Sequence, residues 1–416
     1  MNREYLDELF ANLPEIVQER ITTAADVIVR KKNEHGRVVA VLGSGPNVHE
    51  GVTTLVAELI AQGVIDGVLT SSATVSHEMA GTLERVKRVD GTTLGFELQH
   101  PKSLCLPETG TYFLPRGNGF EFTELSAEEL DEIRADVSFD EDLWVRGAYM
   151  EGTTIIKAAG NMSYPAGLRA ETIATQIKEL AQQYHQPFEF VVGLGADSRT
   201  MIGAGAARGK PVMVTIPAMV GGGNVGICIG DSIPIAQRCQ KVSELLSKAD
   251  VVIESALALA QEIHDGPFET YTGHGIWAPV TGTPTYTLRD KHLIRIDLDP
   301  NLEAVWQREQ AGGAVQEAIN AGKPKTKMFN VPFRMEMSGF ARLEKSLPII
   351  GDIGAIWPLL VVRVAEGLGL DLNFVSYPQE SPDGQQMRED IVDNVEFFHS
   401  AKLHARQEDL ACGCGE

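Results

Sequence analysis

The alternation of short apolar runs with helical segments is the feature of this sequence that most constrains the fold. The first run, RVVAVLGSG at residues 37–45, is rich in β-branched residues and ends in Gly and Ser. Strands that are apolar on both faces are typical of parallel sheets covered by helices. The alternation therefore predicts a doubly wound, mostly parallel α/β sheet of Rossmann-like type. The strand candidates are residues 37–45, 64–74, 188–198, 211–223, 249–258, 292–300 and 347–355.

The same pattern predicts how the chain is organised. Residues 1–36 are predicted to form an amphipathic helical extension, because Leu6, Leu9, Phe10 and Leu13 recur at helical spacing. Residues 37–368 are predicted to form the Rossmann-type domain, and residues 369–416 an acidic tail with at most one helix. The strongest helix candidates inside the domain are 167–184 and 234–248, and a loop-rich insert is predicted at 100–147.

Charge and cysteine content limit the partners and the compartment. The net charge of −21 repels phosphate backbones, which argues against nucleic acid as a partner. Five scattered cysteines do not resemble a disulfide framework, so a reducing, cytoplasmic location is expected. No apolar run reaches the roughly 20 residues of a membrane span, so no membrane partner is expected.

Small and polar residues follow several predicted strands. They occur at residues 43–45, 70–73, 195–198 and 221–224, and Asp352 follows the last strand. Ligands of open α/β sheets bind at the carboxyl ends of the strands. Glycine there lets backbone N–H groups approach a phosphate, although tight turns also need glycine for structural reasons. These strand ends together predict a nucleotide cofactor.

Neither standard phosphate motif is present at these strand ends. GSGPNV at residues 43–48 lacks the Gly-Lys-Ser/Thr of a Walker A loop and the third glycine of the dinucleotide fingerprint. GAGAARG at residues 203–209 is similar to that fingerprint, but it falls between predicted strands and is interpreted as a loop.

Lys323 is a candidate catalytic residue. It ends a predicted helix that begins near Pro300, and Glu317 precedes it by six residues. A lysine at a helix C-terminus also interacts favourably with the helix dipole, so its position alone leaves both interpretations open. His264 lies in a segment that carries Gly and aromatic residues, which is typical of a site loop but also of a surface histidine.

No metal site is predicted. Cys412 and Cys414, with His399 and His404 nearby in sequence, offer donor atoms for an ion. A Cys-x-Cys pair at a chain end is more typical of exposed thiols.

Five segments resemble, in order, segments of the deoxyhypusine synthase family. Residues 41–79 resemble its first cofactor-binding strand, helix and strand, and QEAINAGKPK at 316–325 resembles the motif with its catalytic lysine. The others are FLPRGNGFEFTEL at 113–125, GKPVMVTIPAMVGGGNVG at 209–226 and GDIGAIWPLLVVRVAE at 351–366. Together they span roughly residues 37–368.

The resemblance implies NAD as the cofactor and a lysine that forms an imine with an aminobutyl group. It implies Lys323 as the nucleophile, Glu317 as the acid that binds the amine, and His264 as a stand-in for the family's histidine. It also implies a homo-oligomer, a tetramer or a dimer, because the family buries its sites between subunits. Including the strand-end residues above, the predicted cofactor contacts are Ser44, Gly45, Asn47, Ser71, Ser72, Ala73, Gly222, Gly223 and Asp352.

Departures from the family pattern concern the substrate. Where the family has Asp-Gly-Ser, this chain has Gly221-Gly222-Gly223, and Gly226 replaces a second acid of that loop. Ala321 replaces the Trp that precedes the family's lysine. A buried dication needs opposing charge, so spermidine and a protein lysine are not the expected substrates. With these departures, the resemblance implies an NAD-dependent transfer of an aminoalkyl group through an imine at Lys323, with a small amine as substrate. Homospermidine synthase-type transfer, another NAD-linked reaction and a non-redox nucleotide- or metabolite-binding protein stay open.

Overall fold

The computed structural model describes most of the chain, in several separate ranges. The chain divides into two compact units, residues 1–82 with 171–416, and residues 83–170. The sheet and nearly all of the described helices lie in the first unit. The described residues are 1–43, 45–82, 163–215, 223–255, 288, 290–298, 300–312, 317, 321 and 343–412.

A six-stranded, entirely parallel sheet forms the centre of the first unit. Its spatial order is β3-β2-β1-β4-β5-β6, so the chain begins in the middle, builds one half and then crosses back to build the other. This order confirms the Rossmann-like α/β fold predicted from the alternating pattern. The strands are β1 (Val38–Leu42), β2 (Gly67–Thr70), β3 (Val212–Val214), β4 (Val251–Ser255), β5 (His292–Asp297) and β6 (Ser346–Ile350).

Helices connect the strands and extend beyond them, and no described helix has both the length and the apolarity to cross a membrane. The helices before β3 are α1 (Arg3–Ala11), α2 (Glu15–Asn33), α3 (Gly45–His49), α4 (Val52–Ala61), α5 (Ser72–Met79), α6 (Ser163–Gln183), α7 (Phe188–Gly195) and α8 (Met201–Arg208). The helices after β3 are α9 (Gly223–Ser232), α10 (Ile235–Ser247), α11 (Pro300–Gly312), α12 (Ile353–Leu368), α13 (Pro382–Asn394), α14 (Ser400–Ala405) and α15 (Gln407–Cys412).

Side-chain caps fix where several helices begin. Asn2, Ser71, Thr200 and Ser381 each accept a hydrogen bond from a backbone N–H in the first turn of the helix that follows. Helix α12 is buried over most of its length, and it packs against α2. The helical extension at the N-terminus is therefore two helices, of which α2 contributes core residues such as Ile21 and Ile28.

The prediction of a strand at 188–198 was wrong, because these residues begin with helix α7. Pro187 precedes the helix and Glu189 lies in its first turn, both of which are typical helix-start features. Close packing explains why a glycine, Gly193, lies in this helix, because a Cβ there would lie 2.4 Å from the Ile202 carbonyl oxygen of α8. A short apolar run does not by itself distinguish a buried strand from a buried helix.

The loop predicted at 203–209 is also a helix, α8. Gly205 is needed where α8 approaches the start of β3, since a Cβ there would lie 2.6 Å from the Val212 side chain. Gly203 and Gly205 of the fingerprint-like segment therefore serve close packing, and Gly209 ends α8 in the left-handed backbone region.

The C-terminal region contains three helices, rather than the single helix predicted for 369–416. Its apolar side chains Met387, Ile391 and Leu403 are buried. The Phe398 N–H donates to the Met79 carbonyl at 2.8 Å. These contacts attach the C-terminal helices to the Rossmann-like unit.

Candidate functional site

The reversal of strand order between β1 and β4 creates a crevice at the carboxyl edge of the sheet. The chain leaves β1 toward β2 on one side, and β4 leads to β5 on the other. In open α/β sheets this topological switch point is where ligands bind. The residues directly after β1 and at the end of β4 therefore define the candidate site.

A chain of buried polar side chains joins the two sides of the switch point. The Trp357 indole N–H of α12 donates to Ser255 Oγ at 2.8 Å, and Ser255 Oγ donates to Asn47 Oδ1 at 2.5 Å. All three side chains are buried. Helix α3, strand β4 and helix α12 are thus held together over the carboxyl edge, which fixes the geometry of the crevice.

Hydroxyl groups dominate the half of the edge formed by β1, β2 and β3. Ser71 follows β2, and its Oγ accepts from the Thr74 N–H at 3.2 Å. Thr70 ends β2 and Thr215 follows β3, and both are fully or nearly fully buried. Among the described residues, neither threonine Oγ1 has a hydrogen-bond partner. Buried hydroxyls of this kind require a partner, and a polar ligand could provide one.

Carboxylates dominate the half formed by β4 and β5. Arg295 Nη1 donates to Glu254 Oε2 at 3.0 Å, and Arg295 Nε donates to Asp297 Oδ2 at 3.1 Å. All three side chains are almost completely buried, and burial raises the pKa of Glu254. Two carboxylates share one guanidinium, and Glu254 Oε1 has no partner among the described residues. Glu254 Oε1 could therefore accept a hydrogen bond from a polar or cationic ligand group.

A second carboxylate pair lies where α3 meets the start of α12. Glu50 is 6% exposed and accepts from the Gln379 backbone N–H at 2.9 Å and from its amide side chain at 2.8 Å. Burial is the main reason that the pKa of Glu50 rises to about 7, and the nearby Asp352 carboxylate raises it further. Asp352 caps α12, and burial raises its pKa also. Glu50 can therefore exchange a proton near neutral pH.

The predicted cofactor residues in the described parts of the chain lie at the carboxyl edge or at helix starts. Asn47 lies in the switch point, and Ser71 caps α5 directly after β2. Gly45 begins α3, and Gly223 begins α9 with φ of 58°. In the first turn of α5, Ser72 is buried and Ala73 beside it is half-buried. Asp352 caps α12. Ser44 and Gly222 lie outside the described residues.

The predicted catalytic residues are described only in part. Glu317 is exposed, and its carbonyl accepts from the Ala321 N–H at 2.9 Å. Lys323 and His264 lie outside the described residues. Across the part of the chain that the structure describes, no group of three His, Cys, Asp or Glu side chains is placed to hold a metal ion.

Sequence reasoning missed Glu50, Glu254 and Ser255 as members of the site. Their importance depends on which strands and helices meet, and a single sequence does not give the strand order. One signal was present: Glu254 interrupts an otherwise apolar strand, which is uncommon for a carboxylate without a buried partner.

Comparisons with known proteins show only distant similarity. No family model and no curated protein matches the chain. Among solved structures, a conserved putative LOR/SDH protein from Methanococcus maripaludis S2 is similar at 11% identity and a TM-score of 0.39, covering 85% of this chain and 71% of that one. ArgZ, an arginine dihydrolase from the ornithine-ammonia cycle in cyanobacteria, is similar at 10% identity and a TM-score of 0.38, covering 86% of this chain and 32% of that one.

A third similar solved structure is that of AgrE in a ternary complex with ornithine and NAD+. It is similar at 10% identity and a TM-score of 0.38, covering 85% of this chain and 34% of that one. This chain therefore spans about one third of the length of ArgZ and AgrE.

Proposed function

We propose that this protein is an NAD-dependent enzyme that acts on a small amine at the switch point between β1 and β4. The observation that carries the proposal is the division of the carboxyl edge into two chemically different halves. The half with β1, β2 and β3 ends in glycine and hydroxyl groups, whereas β5 ends in Asp297 and β4 carries Glu254 one residue before its end. A nucleotide is anionic and an amine is cationic, so each half suits one of the two ligands.

The hydroxyl half fits a dinucleotide in two respects and departs in one. Thr70 Oγ1 and Thr215 Oγ1 are buried donors without partners among the described residues, and they could serve a ligand's oxygen atoms. Gly43 directly follows β1, where backbone N–H groups can approach a pyrophosphate. The departure is that Ser71, and not an acid, follows β2, so the ribose hydroxyls would contact serine hydroxyls.

Carboxylates from both sides of the switch point would bind and deprotonate the amine: Glu254 of β4 and Glu50, which follows α3. Glu254 Oε1, which has no hydrogen-bond partner among the described residues, would accept a hydrogen bond from an ammonium group. Glu50, with its pKa raised to about 7, would accept the ammonium proton, because a free amine is the form that can be oxidised. Bound NAD would supply the hydride acceptor.

Aminoalkyl transfer through an imine at Lys323 is the more specific form of this proposal. It rests on the resemblance to the deoxyhypusine synthase family, and Lys323 lies outside the described residues. The exposed position of Glu317 offers an ammonium group little desolvation, so Glu50 and Glu254 are the stronger candidates for holding the amine.

Assembly into a homo-oligomer is part of the proposal. Ile227 on α9 and Ile235 on α10 are 64% and 47% exposed, which is unusual for large aliphatic side chains that lie close in sequence. Static light scattering at micromolar concentration should give the mass of a dimer or tetramer, and a monomer would contradict this part.

The experiment that tests the function has a binding arm and a turnover arm. NAD at 100 times its dissociation constant should stabilise the folded protein by roughly 2.7 kcal/mol, measured as an increase in the melting temperature. Formation of NADH, followed by absorbance with a panel of small diamines and amino acids, should identify the amine.

A variant at Glu50 separates cofactor binding from amine turnover. Glu50→Gln should retain the NAD-induced stabilisation and lose most NADH formation, because it keeps the shape but loses the proton acceptor. Glu19→Gln is the matched control, since Glu19 is exposed on α2. Binding of NAD without turnover of any amine would favour the non-redox binding protein, and absence of any NAD effect at millimolar concentration would refute the proposal.

A further inference from the structure

A large groove lies at the opposite, amino edge of the sheet. Its volume is about 1020 Å³, and its lining includes Arg37, Asp66 and Pro211, which precede β1, β2 and β3. The groove is therefore separated from the switch point by the length of the strands. Cavities of a few hundred to about 1,000 Å³ are typical of small-ligand sites.

Cations from separate elements of the fold surround this groove. Lys32 of α2 and Lys210 before β3 both donate to Asp66, each at 2.8 Å. Two ammonium groups thus share one carboxylate, which leaves a net positive charge in that part of the groove. The shared contacts also hold the pKa of Asp66 below its usual value, so the carboxylate stays charged.

Further cations in the groove have no carboxylate partner among the described residues. Arg37 and Lys248 are exposed, and Lys241 is half-buried on α10. Their side chains make no ion pair with any described residue. Besides Asp66, three carboxylates line the groove: Glu189 is held by Arg238 in a fully buried ion pair, Asp409 pairs with Arg406, and Glu244 accepts from the Gln240 side chain. The cations Lys32, Arg37, Lys210, Lys241, Lys248 and Arg406 still outnumber these acids.

The basic character of the groove contrasts with the charge of the whole chain, which is −21. The negative net charge is sufficient to keep the protein soluble, so solubility does not explain why cations from α2, α10 and the start of β3 lie around one recess. Clefts lined by one sign of charge concentrate ligands of the opposite sign. The backbone is accessible there as well, because a Cβ at Gly209 would contact nothing within 4 Å.

We propose that this amino-edge groove binds a small polyanion, such as a phosphorylated or polycarboxylate metabolite, independently of the switch-point site. Lys241 and Lys248 on one side, and Lys32 with Lys210 on the other, would hold its anionic groups. A small ligand is favoured over an acidic protein segment because the cations surround a recess of ligand size and do not follow an extended surface track.

Binding of two probes to the full chain tests this proposal. Inorganic pyrophosphate and citrate, each titrated calorimetrically in magnesium-free buffer, distinguish a phosphate-bearing ligand from a polycarboxylate. The double variant Lys241→Gln/Lys248→Gln should weaken binding of the preferred probe on the order of tenfold, because it removes charge-assisted hydrogen bonds. Circular dichroism should show an unchanged fold, since neither lysine is buried.

A matched control distinguishes binding in the groove from a general effect of the protein's net charge. Lys178→Gln/Lys402→Gln removes the same charge from α6 and α14, outside the groove, and should leave binding unchanged. The proposal is overturned if neither probe binds, or if both double variants weaken binding equally. It is also overturned if polyglutamate binds more tightly than both probes through the same lysines, because the occupant would then be an acidic segment. Binding should persist when NAD is absent, so failure at this groove and failure at the switch point are distinguishable.

Discussion

Ser255 and Asn47 are joined by a 2.5 Å hydrogen bond across the point where the strand order reverses. Ser255 ends β4, and Asn47 lies in the short helix that follows β1, so the bond spans the two halves of the sheet at its ligand edge. Asn47 Nδ2 also donates to the Ser255 carbonyl at 3.4 Å. The first turn after β1, which would contact a dinucleotide, is therefore positioned by the end of β4.

Removing this bond should affect both stability and cofactor binding. Asn47→Ala leaves the buried Ser255 hydroxyl without its acceptor, which should destabilise the protein by about 1–3 kcal/mol in urea unfolding. It should also reduce the increase in melting temperature that NAD produces, because the turn after β1 loses its support.

Asn33→Ala is the matched control, since Asn33 is exposed at the end of α2. It should change neither quantity. Unchanged stability of Asn47→Ala would show that the switch point is not held by this bond.

The stability of the protein should depend on pH through Glu78. This carboxylate of α5 is fully buried and accepts from the Met201 and Ile202 N–H groups at 2.7 and 3.0 Å. Burial raises its pKa from the usual 4.5 to about 7, so the folded state binds the proton more tightly than the unfolded state. The contribution of Glu78 is therefore full below about pH 4.5 and is lost as the pH rises through about 7.

Glu78→Gln should remove this dependence. Between pH 4.5 and 7, its unfolding free energy relative to wild type should rise by up to about 3 kcal/mol. Urea unfolding at a series of pH values measures the difference, with Glu19→Gln on the exposed face of α2 as control. A difference that does not vary with pH would show that Glu78 titrates at its usual value.

The sequence predicted the sheet more successfully than the site. Six of the seven strand candidates overlap observed strands, because near-continuous β-branched runs such as Val38–Leu42 are strongly typical of buried parallel strands. The failure at 188–198 has a physical cause: Gly193 and the apolar side chains around it fit a tightly packed helix as well as a strand. The local sequence pattern does not show which element the segment packs against, and that packing decides between helix and strand.

The site could be predicted only where the sequence marks a strand end. Asn47, Ser71 and Asp352 follow strands, and the rule that ligands bind at carboxyl ends is sufficient to select them. Glu254 and its partner Arg295 were missed because they pair across neighbouring strands, and strand order is a property of the folded chain.

The buried ion pair between Glu189 and Arg238 should be essential for stability. Arg238 Nη1 donates to Glu189 Oε1 at 2.5 Å and to the Val214 carbonyl at 2.9 Å, and both charged side chains are inaccessible to solvent. Arg238→Met would leave Glu189 charged and buried, at a cost of about 3–5 kcal/mol.

A double variant distinguishes the pair from its parts. Glu189→Gln/Arg238→Met should be less destabilised than the sum of the single variants, because no charge is left uncompensated. Lys402→Met, which breaks the exposed pair with Glu396, should change the urea midpoint little. Additive single and double effects would indicate that the two side chains do not interact in solution.

Gly203 should be irreplaceable even though it lies in a helix. A Cβ at this position would lie 2.0 Å from the Asp197 carbonyl oxygen, which is backbone and cannot move aside as a side chain could. Gly203→Ala should therefore destabilise the protein by about 1–3 kcal/mol, the usual cost of overpacking. Intrinsic helix propensity predicts the opposite sign, since alanine is favoured over glycine by up to about 1 kcal/mol. Gly312→Ala provides the comparison, because a Cβ on this last residue of α11 would meet no atom of the described residues within 4 Å. This variant should leave stability unchanged or slightly higher. Urea unfolding of the two variants decides between packing and propensity: equal, stabilising effects would mean that α8 does not pack against the Asp197 turn as closely as the structure shows.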